Sequence, residues 1–121
     1  MTAVNAGQGH ALAQLADHLG ELRRCAGLTW RKLGVSAHFD HTVLWHAARG
    51  RRVPTRSVTK AFVATCRREI RRRLAQDAPV GPQGELREGR PFDVKIYASR
   101  LLDLDWESLW SAADDEARRD E

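Results

Sequence analysis

The chain has 121 residues, 42% hydrophobic and 30% charged, with net charge +4 and mean hydropathy −0.52. That leaves room for one domain plus an extension, with enough apolar residues for a core and a heavily charged surface. No apolar run approaches the about 20 residues of a membrane span and the first residues lack a signal-peptide pattern, so a membrane role is excluded and a cytoplasmic protein is expected.

The charge is unevenly placed. Residues 1–75 hold 14 Lys and Arg against 4 Asp and Glu, a net +10, whereas residues 76–121 hold 6 against 12, a net −6. A basic half with an acidic appendage suits a polyanion binder whose tail moderates non-specific attachment.

Residues 1–9 are small and polar, and a disordered start is expected there. From His10 to Cys25, Leu12, Leu15, Leu19 and Leu22 fall at a 3–4–3 spacing on one helix face. Ala26-Gly27 ends this helix, and Arg23-Arg24 sit at its C-terminal end, where they complement the dipole and support the following loop.

Two short helical patterns follow. Thr29 can cap a helix over Trp30, Arg31, Lys32 and Leu33. Ser36-Ala37-His38 supplies a turn, Phe39 points inward, and Asp40 can cap a second helix, His41 to Arg49. Gly50 stops it and Pro54 delays a restart before Thr55. Helices of about eight residues cannot bury a core alone and need flanking helices. Leu33, Phe39, Leu44, Ala47 and Val53 have the spacing of inward residues in a helix-turn-helix. Spacing alone fits equally well a small helical hairpin with a polar outer face.

A fourth helix runs from about Thr55, with Val58, Phe62, Cys66 and Ile70 as its apolar stripe, and continues through the arginine-rich segment Arg67 to Arg73. By default such a run is a solvated face. It could also grip a DNA backbone, an acidic partner, or the chain's own acidic tail. Residues 76–91, with Pro79, Pro82, Pro91, Gly81, Gly84 and Gly89, read as a linker or exposed loop. The alternation of Phe92, Val94 and Ile96 suits a short strand, and a helix from Phe92 to Leu104 fits as well. Asp105 caps a last helix, Trp106 to Ala113, whose Trp106, Leu109, Trp110 and Ala113 either cap the bundle core or make a dimer contact. Residues 114–121 are expected to fray. The extension as a whole is 92–121.

The run from about Leu15 to Cys66 resembles the Cro and phage-repressor type of helix-turn-helix domain, the xenobiotic-response-element family, in its actinobacterial form. The resemblance rests on Leu19, Leu22, Arg23-Arg24, Ala26-Gly27-Leu28-Thr29-Trp30-Arg31, Leu33, Leu44, Ala47, Arg49-Gly50-Arg51-Arg52, Val53-Pro54-Thr55, Phe62-Val63 and Cys66. It implies an all-α bundle of four to five helices over 10–75 and a transcriptional regulator that binds double-stranded DNA as a homodimer. Three positions depart from the pattern. Gly34 replaces a small helix former at a cost of up to about 1 kcal/mol relative to alanine, Val35 replaces a polar residue, and Asp40 replaces Ser or Thr.

By this resemblance His41, Thr42 and His46 meet base edges. Either histidine could donate to guanine, and the Thr42 methyl could meet a thymine methyl. Trp45 is unusual on such a face and would pack on sugar or a thymine methyl, or serve a core or dimer role. Thr29, Arg31, Lys32, Arg49, Arg51 and Arg52 would meet phosphate, which gives affinity without sequence information. The competing reading is a protein-interaction module, antitoxin-like or adaptor, with the helix-turn-helix as scaffold and the C-terminal segment binding a protein partner.

Catalysis has little support, since no nucleophile motif and no glycine-rich phosphate loop is present. His38, His41 and His46 do not have zinc-ligand spacing, and no cofactor or metal is expected. Cys25 and Cys66 are expected to be reduced, half-buried thiols.

Overall fold

A computed structural model describes residues 2–76 and 91–119, with side chains described for 9–76 and 96–119. The described residues form six helices and no strand: α1 (Thr2–Ala26), α2 (Trp30–Ala37), α3 (His41–Arg49), α4 (Arg56–Ala75), α5 (Pro91–Asp103) and α6 (Trp106–Arg119). No helix among them is long and apolar enough to cross a membrane.

The leucine stripe of α1 becomes its core face. Leu15, Leu19 and Leu22 are fully buried, joined by Cys25 and Ala26 at the C-terminal end. Gly27 ends the helix in the left-handed region at φ +69°. Its N–H donates to the Arg23 carbonyl at 3.0 Å and the Leu28 N–H donates to the same carbonyl at 3.3 Å, which satisfies the last turn. The Arg23 guanidinium returns to the Leu28 carbonyl at 2.8 Å and covers the Trp30 ring at 4.5 Å, so it packs and supports the loop. The helix starts at Thr2, inside the stretch whose composition predicts a disordered start.

The expected caps at Thr29 and Asp40 form, and Thr55 caps α4 as well. The Thr29 hydroxyl accepts from the Lys32 N–H at 3.1 Å, the Asp40 carboxylate from the Thr42 N–H at 2.9 Å, and the Thr55 hydroxyl from the Val58 N–H at 3.2 Å. Caps of this kind are each worth about 1 kcal/mol. Between α2 and α3, His38 takes up φ 64° and Phe39 donates its N–H to the Gly34 carbonyl at 3.2 Å. Gly50, at φ +72°, closes α3. Leu33, Leu44 and Ala47 are buried, and Phe39 and Val53 pack half-buried against them, as the inward spacing required.

At Gly34 the structure corrects the expectation from helix propensity. A Cβ built there would lie 2.8 Å from the Phe39 carbonyl oxygen and 3.2 Å from the His41 backbone nitrogen. The glycine is therefore where the backbone of the turn presses on α2, and its low helix propensity is the lesser effect.

On α4, Val58, Phe62, Cys66 and Ile70 are buried as the four-residue repeat predicts. Phe62 meets Trp30 edge-on, with ring centroids 6.2 Å apart. Cys25 and Cys66 are thiols, fully rather than half buried, and burial pushes the Cys66 thiol up to about 12.

Residues 91–103 are helical, which settles the choice between strand and helix. Residues 77–90, the bulk of the expected linker, lie outside the described residues. On α5, Ala98 and Leu101 are buried, and the Tyr97 hydroxyl donates to the Glu21 carboxylate on α1 at 2.6 Å. Asp105 caps α6 by accepting from the N–H groups of Glu107 and Ser108 at 3.1 and 3.3 Å. The last helix runs on to Arg119, beyond the expected end at Ala113.

The tryptophan stripe closes the core of its own chain. Trp106 and Ala113 are buried in the same cluster as α1 and α4, with Leu109 and Trp110 packed at its edge. The Trp110 indole N–H donates to the Pro54 carbonyl at 2.8 Å, and Glu116 accepts from the Ala11 N–H at 3.2 Å. The C-terminal extension is thus an integral wall of the bundle, packed most extensively on α1.

Candidate nucleic-acid interface

Burying Leu44 and Ala47 turns the opposite side of α3 outward. His41, Thr42, His46 and Arg49 are exposed and Trp45 is half-buried. Thr29, Arg31 and Lys32 at the start of α2 and Arg51 and Arg52 in the loop after α3 are exposed as well. Every residue singled out in the sequence for contact is therefore accessible, Trp45 only in part.

The structure divides them into two groups along α3. At its N-terminal end, His41, Arg31, Asp40, Val35 and Phe39 border one shallow cavity of about 460 Å³. At its C-terminal end, His46, Arg51 and Arg52 border a second, of about 400 Å³, whose apolar wall is Val43, Val53 and Val58. Thr29, Lys32, Thr42, Trp45 and Arg49 border neither.

Local contacts narrow what several of these side chains can do. The Thr42 hydroxyl donates to the Asp40 carboxylate at 2.7 Å, so the group left to a ligand is chiefly its methyl. The Asp40 carboxyl is held below the usual carboxylate range, first by that hydroxyl, then by the Thr42 N–H, and less by His41. His41 Nδ1 lies 3.7 Å from the same carboxylate. Asp40 is thus a fixed negative charge at one end of a cationic face, and it orients both Thr42 and His41.

Trp45 has its own partners. Its ring meets His46 edge-on at 5.1 Å, and the Arg49 guanidinium covers it at 4.7 Å. The three side chains form a stack along one side of α3 that limits the rotamers of His46 and Arg49, which suits groups that must present donors in a set direction.

The loop carrying Arg51 and Arg52 is anchored from behind by the Trp110 bond to Pro54. No sequence pattern points to this contact, because 56 residues separate its partners. Among the described residues, three acids of the C-terminal segment have partners away from this face. Glu107 pairs with Arg56, Glu116 meets Ala11, and Asp114 pairs with Arg118 at 2.9 Å. Among the described residues no group of three His, Cys, Asp or Glu side chains is placed to hold a metal ion.

The chain matches no family model, no curated protein and no solved structure.

Proposed function

We propose that this protein is a sequence-specific DNA-binding regulator of the phage-repressor helix-turn-helix type, which inserts α3 into the major groove. The observation that carries the reading is the two-sidedness of α3. Leu44 and Ala47 are seated in the core, while His41, Thr42, His46 and Arg49 face solvent beside exposed Arg31, Arg51 and Arg52.

In this reading His41 and His46 donate to guanine N7 or O6, and the Thr42 methyl meets a thymine. Arg31, Lys32, Arg51 and Arg52 hold phosphates, joined by Thr29 at the start of α2 and by whatever donors Arg49 keeps outside its stack on Trp45. The chain acts as a homodimer on two half-sites about one helical turn apart. Since Trp106 and Ala113 are used within the bundle, the dimer surface lies elsewhere.

A second reading is favoured by one feature. Val35 is 77% exposed beside half-buried Phe39 in the cavity that holds Arg31 and His41, which suits a protein partner better than phosphate.

Selection of the purified protein on a random duplex library at about 150 mM salt, where phosphate contacts are weakened, separates the two. An enriched, partly palindromic motif is expected. Salt-sensitive binding without enrichment would overturn the DNA-reading role and favour the partner reading.

A further inference from the structure

The arginine-rich helix α4 carries a second cationic surface that the reading of α3 does not use. Arg56, Lys60, Arg67 and Arg71 lie at spacings of four, seven and four residues. At 100° per residue they fall within about 60° of arc, and over 1.5 Å per residue they span about 22 Å. They sit between about 120° and 180° round the helix from Phe62, whose ring points at Trp30 on the first turn of α2. The stripe therefore faces away from the α2–α3 pair.

These cations border an open groove of about 570 Å³ with Arg68, whose floor is Val63 and Ala64 and whose far wall begins α6. The two ends of the set are differently engaged. Arg56 pairs with Glu107, and the Arg67 guanidinium donates to the Leu104 carbonyl at 2.5 Å, so both brace the stripe against the α5–α6 junction. Lys60, Arg68 and Arg71 are exposed and make no hydrogen bond or ion pair among the described residues.

A solvated helix face ordinarily alternates charge at i,i+4. Here the i,i+4 neighbours Arg56–Lys60 and Arg67–Arg71 are like-charged, a mildly destabilising arrangement that Glu107 offsets at Arg56 and that an anion along the stripe would offset at Lys60 and Arg71. Glu69, the acid of this helix, points elsewhere and joins Arg72 and Arg73 at 2.6 and 2.7 Å. Of the groove's apolar lining, Val63 and Trp106 are buried and Ala64 is exposed. A long, flat row of cations suits a sugar–phosphate backbone, whose charge repeats along its length.

We propose that the α4 stripe is a second DNA-backbone site, so that one chain holds two duplex segments, one under α3 and one along α4. This rests on the DNA-binding reading of α3. The test is a bridging capture by the full chain: one duplex is biotinylated on beads and a second, unattached duplex is fluorescent. Wild type is expected to retain the fluorescent duplex. The variant Lys60→Gln/Arg68→Gln/Arg71→Gln, altered only at exposed positions, should bind the bead duplex with unchanged base preference and lose bridging at least tenfold. A matched loss of charge off the stripe, Arg24→Gln/Arg100→Gln/Arg119→Gln, should keep bridging.

Three outcomes overturn the proposal, each in a different way. Bridging by the stripe variant equal to wild type would assign it to dimers with two α3 faces. A wild type that binds the bead duplex and never captures the second would leave α3 as the sole DNA surface. A wild type that binds no duplex would remove the α3 reading and the stripe's role together.

Discussion

Single residues set the orientation of the α2–α3 pair. Gly34 is the clearest case, because helix propensity and packing disagree about it. Propensity favours Gly34→Ala by up to about 1 kcal/mol, yet the new Cβ would meet the Phe39 carbonyl at 2.8 Å, a backbone atom that cannot swing aside. Packing should win, with Gly34→Ala destabilising by about 1–3 kcal/mol, as overpacking does. Urea unfolding at constant m-value checks it, and a raised midpoint would refute the close-approach account. The same scale governs the proposed recognition of DNA. His46→Ala should relax base preference at one operator position, since the ring is held outward beside Trp45. Arg52→Ala should instead weaken all duplexes about equally and lower the salt slope by roughly one. Equal losses on selected and random DNA for both variants would sink this division.

At the scale of elements, what could be read in the sequence depended on how local the determining interaction was. The caps at Thr29, Asp40 and Asp105 and the stripes of α1 and α4 depend on residues within one or two turns, and they appear where the pattern places them. The exposed set on α3 was legible for the same reason, since Leu44 and Ala47 leave only one way for a short helix to face. The restraint on Thr42 by Asp40 and the stacking of Arg49 on Trp45 were not, because each turns on a side-chain rotamer. Period could not decide between strand and helix for α5, since what holds it is remote: Tyr97 bonds Glu21 across 76 residues, and Ala98 and Leu101 are buried in a core built mostly by α1 and α4. For the same reason residues 10–75 do not have the independence their resemblance suggests. Removing residues 77–121 withdraws Leu101 and Trp106 from the core, at about 2–3 kcal/mol each, and uncovers the α1 face beneath them. Against a typical total of about 5–15 kcal/mol, a fragment ending at Gln76 should be marginal, with a broad, low thermal transition by circular dichroism. A fragment melting within a few degrees of the full chain would show that α5 and α6 are accessories.

At the scale of the whole molecule, the tightness of that packing buries a titratable group. His18 on α1 is 3% exposed, and among the described residues neither ring nitrogen has a hydrogen-bond partner. Burial pushes its pKa down from 6.5 to about 4. Arg67 on α4 adds to the depression, and Glu21 on α1 opposes it. The folded state thus binds this proton less readily than the unfolded chain does. Stability is full above pH 6.5 and falls with pH through the window from 6.5 to 4, by about 3 kcal/mol in all, since a tenfold change in proton affinity is worth roughly 1.4 kcal/mol. The carboxylates leave the upper part of that window clear. Glu69, held down to about 2 chiefly by the Arg72 hydrogen bond, gives up its contribution only as pH falls below the ordinary 4.5. Asp40 and Asp105, both lowered from 3.8, act lower still. Urea midpoints between about pH 7 and 4.5 should therefore fall steeply for the wild type and stay nearly flat for His18→Leu. That variant should also gain about 1 kcal/mol at neutral pH, since it removes buried polar atoms that bond to nothing. Parallel pH profiles for the two proteins would mean that His18 is reached by water and that the wall formed by α5 and α6 is looser than its packing implies.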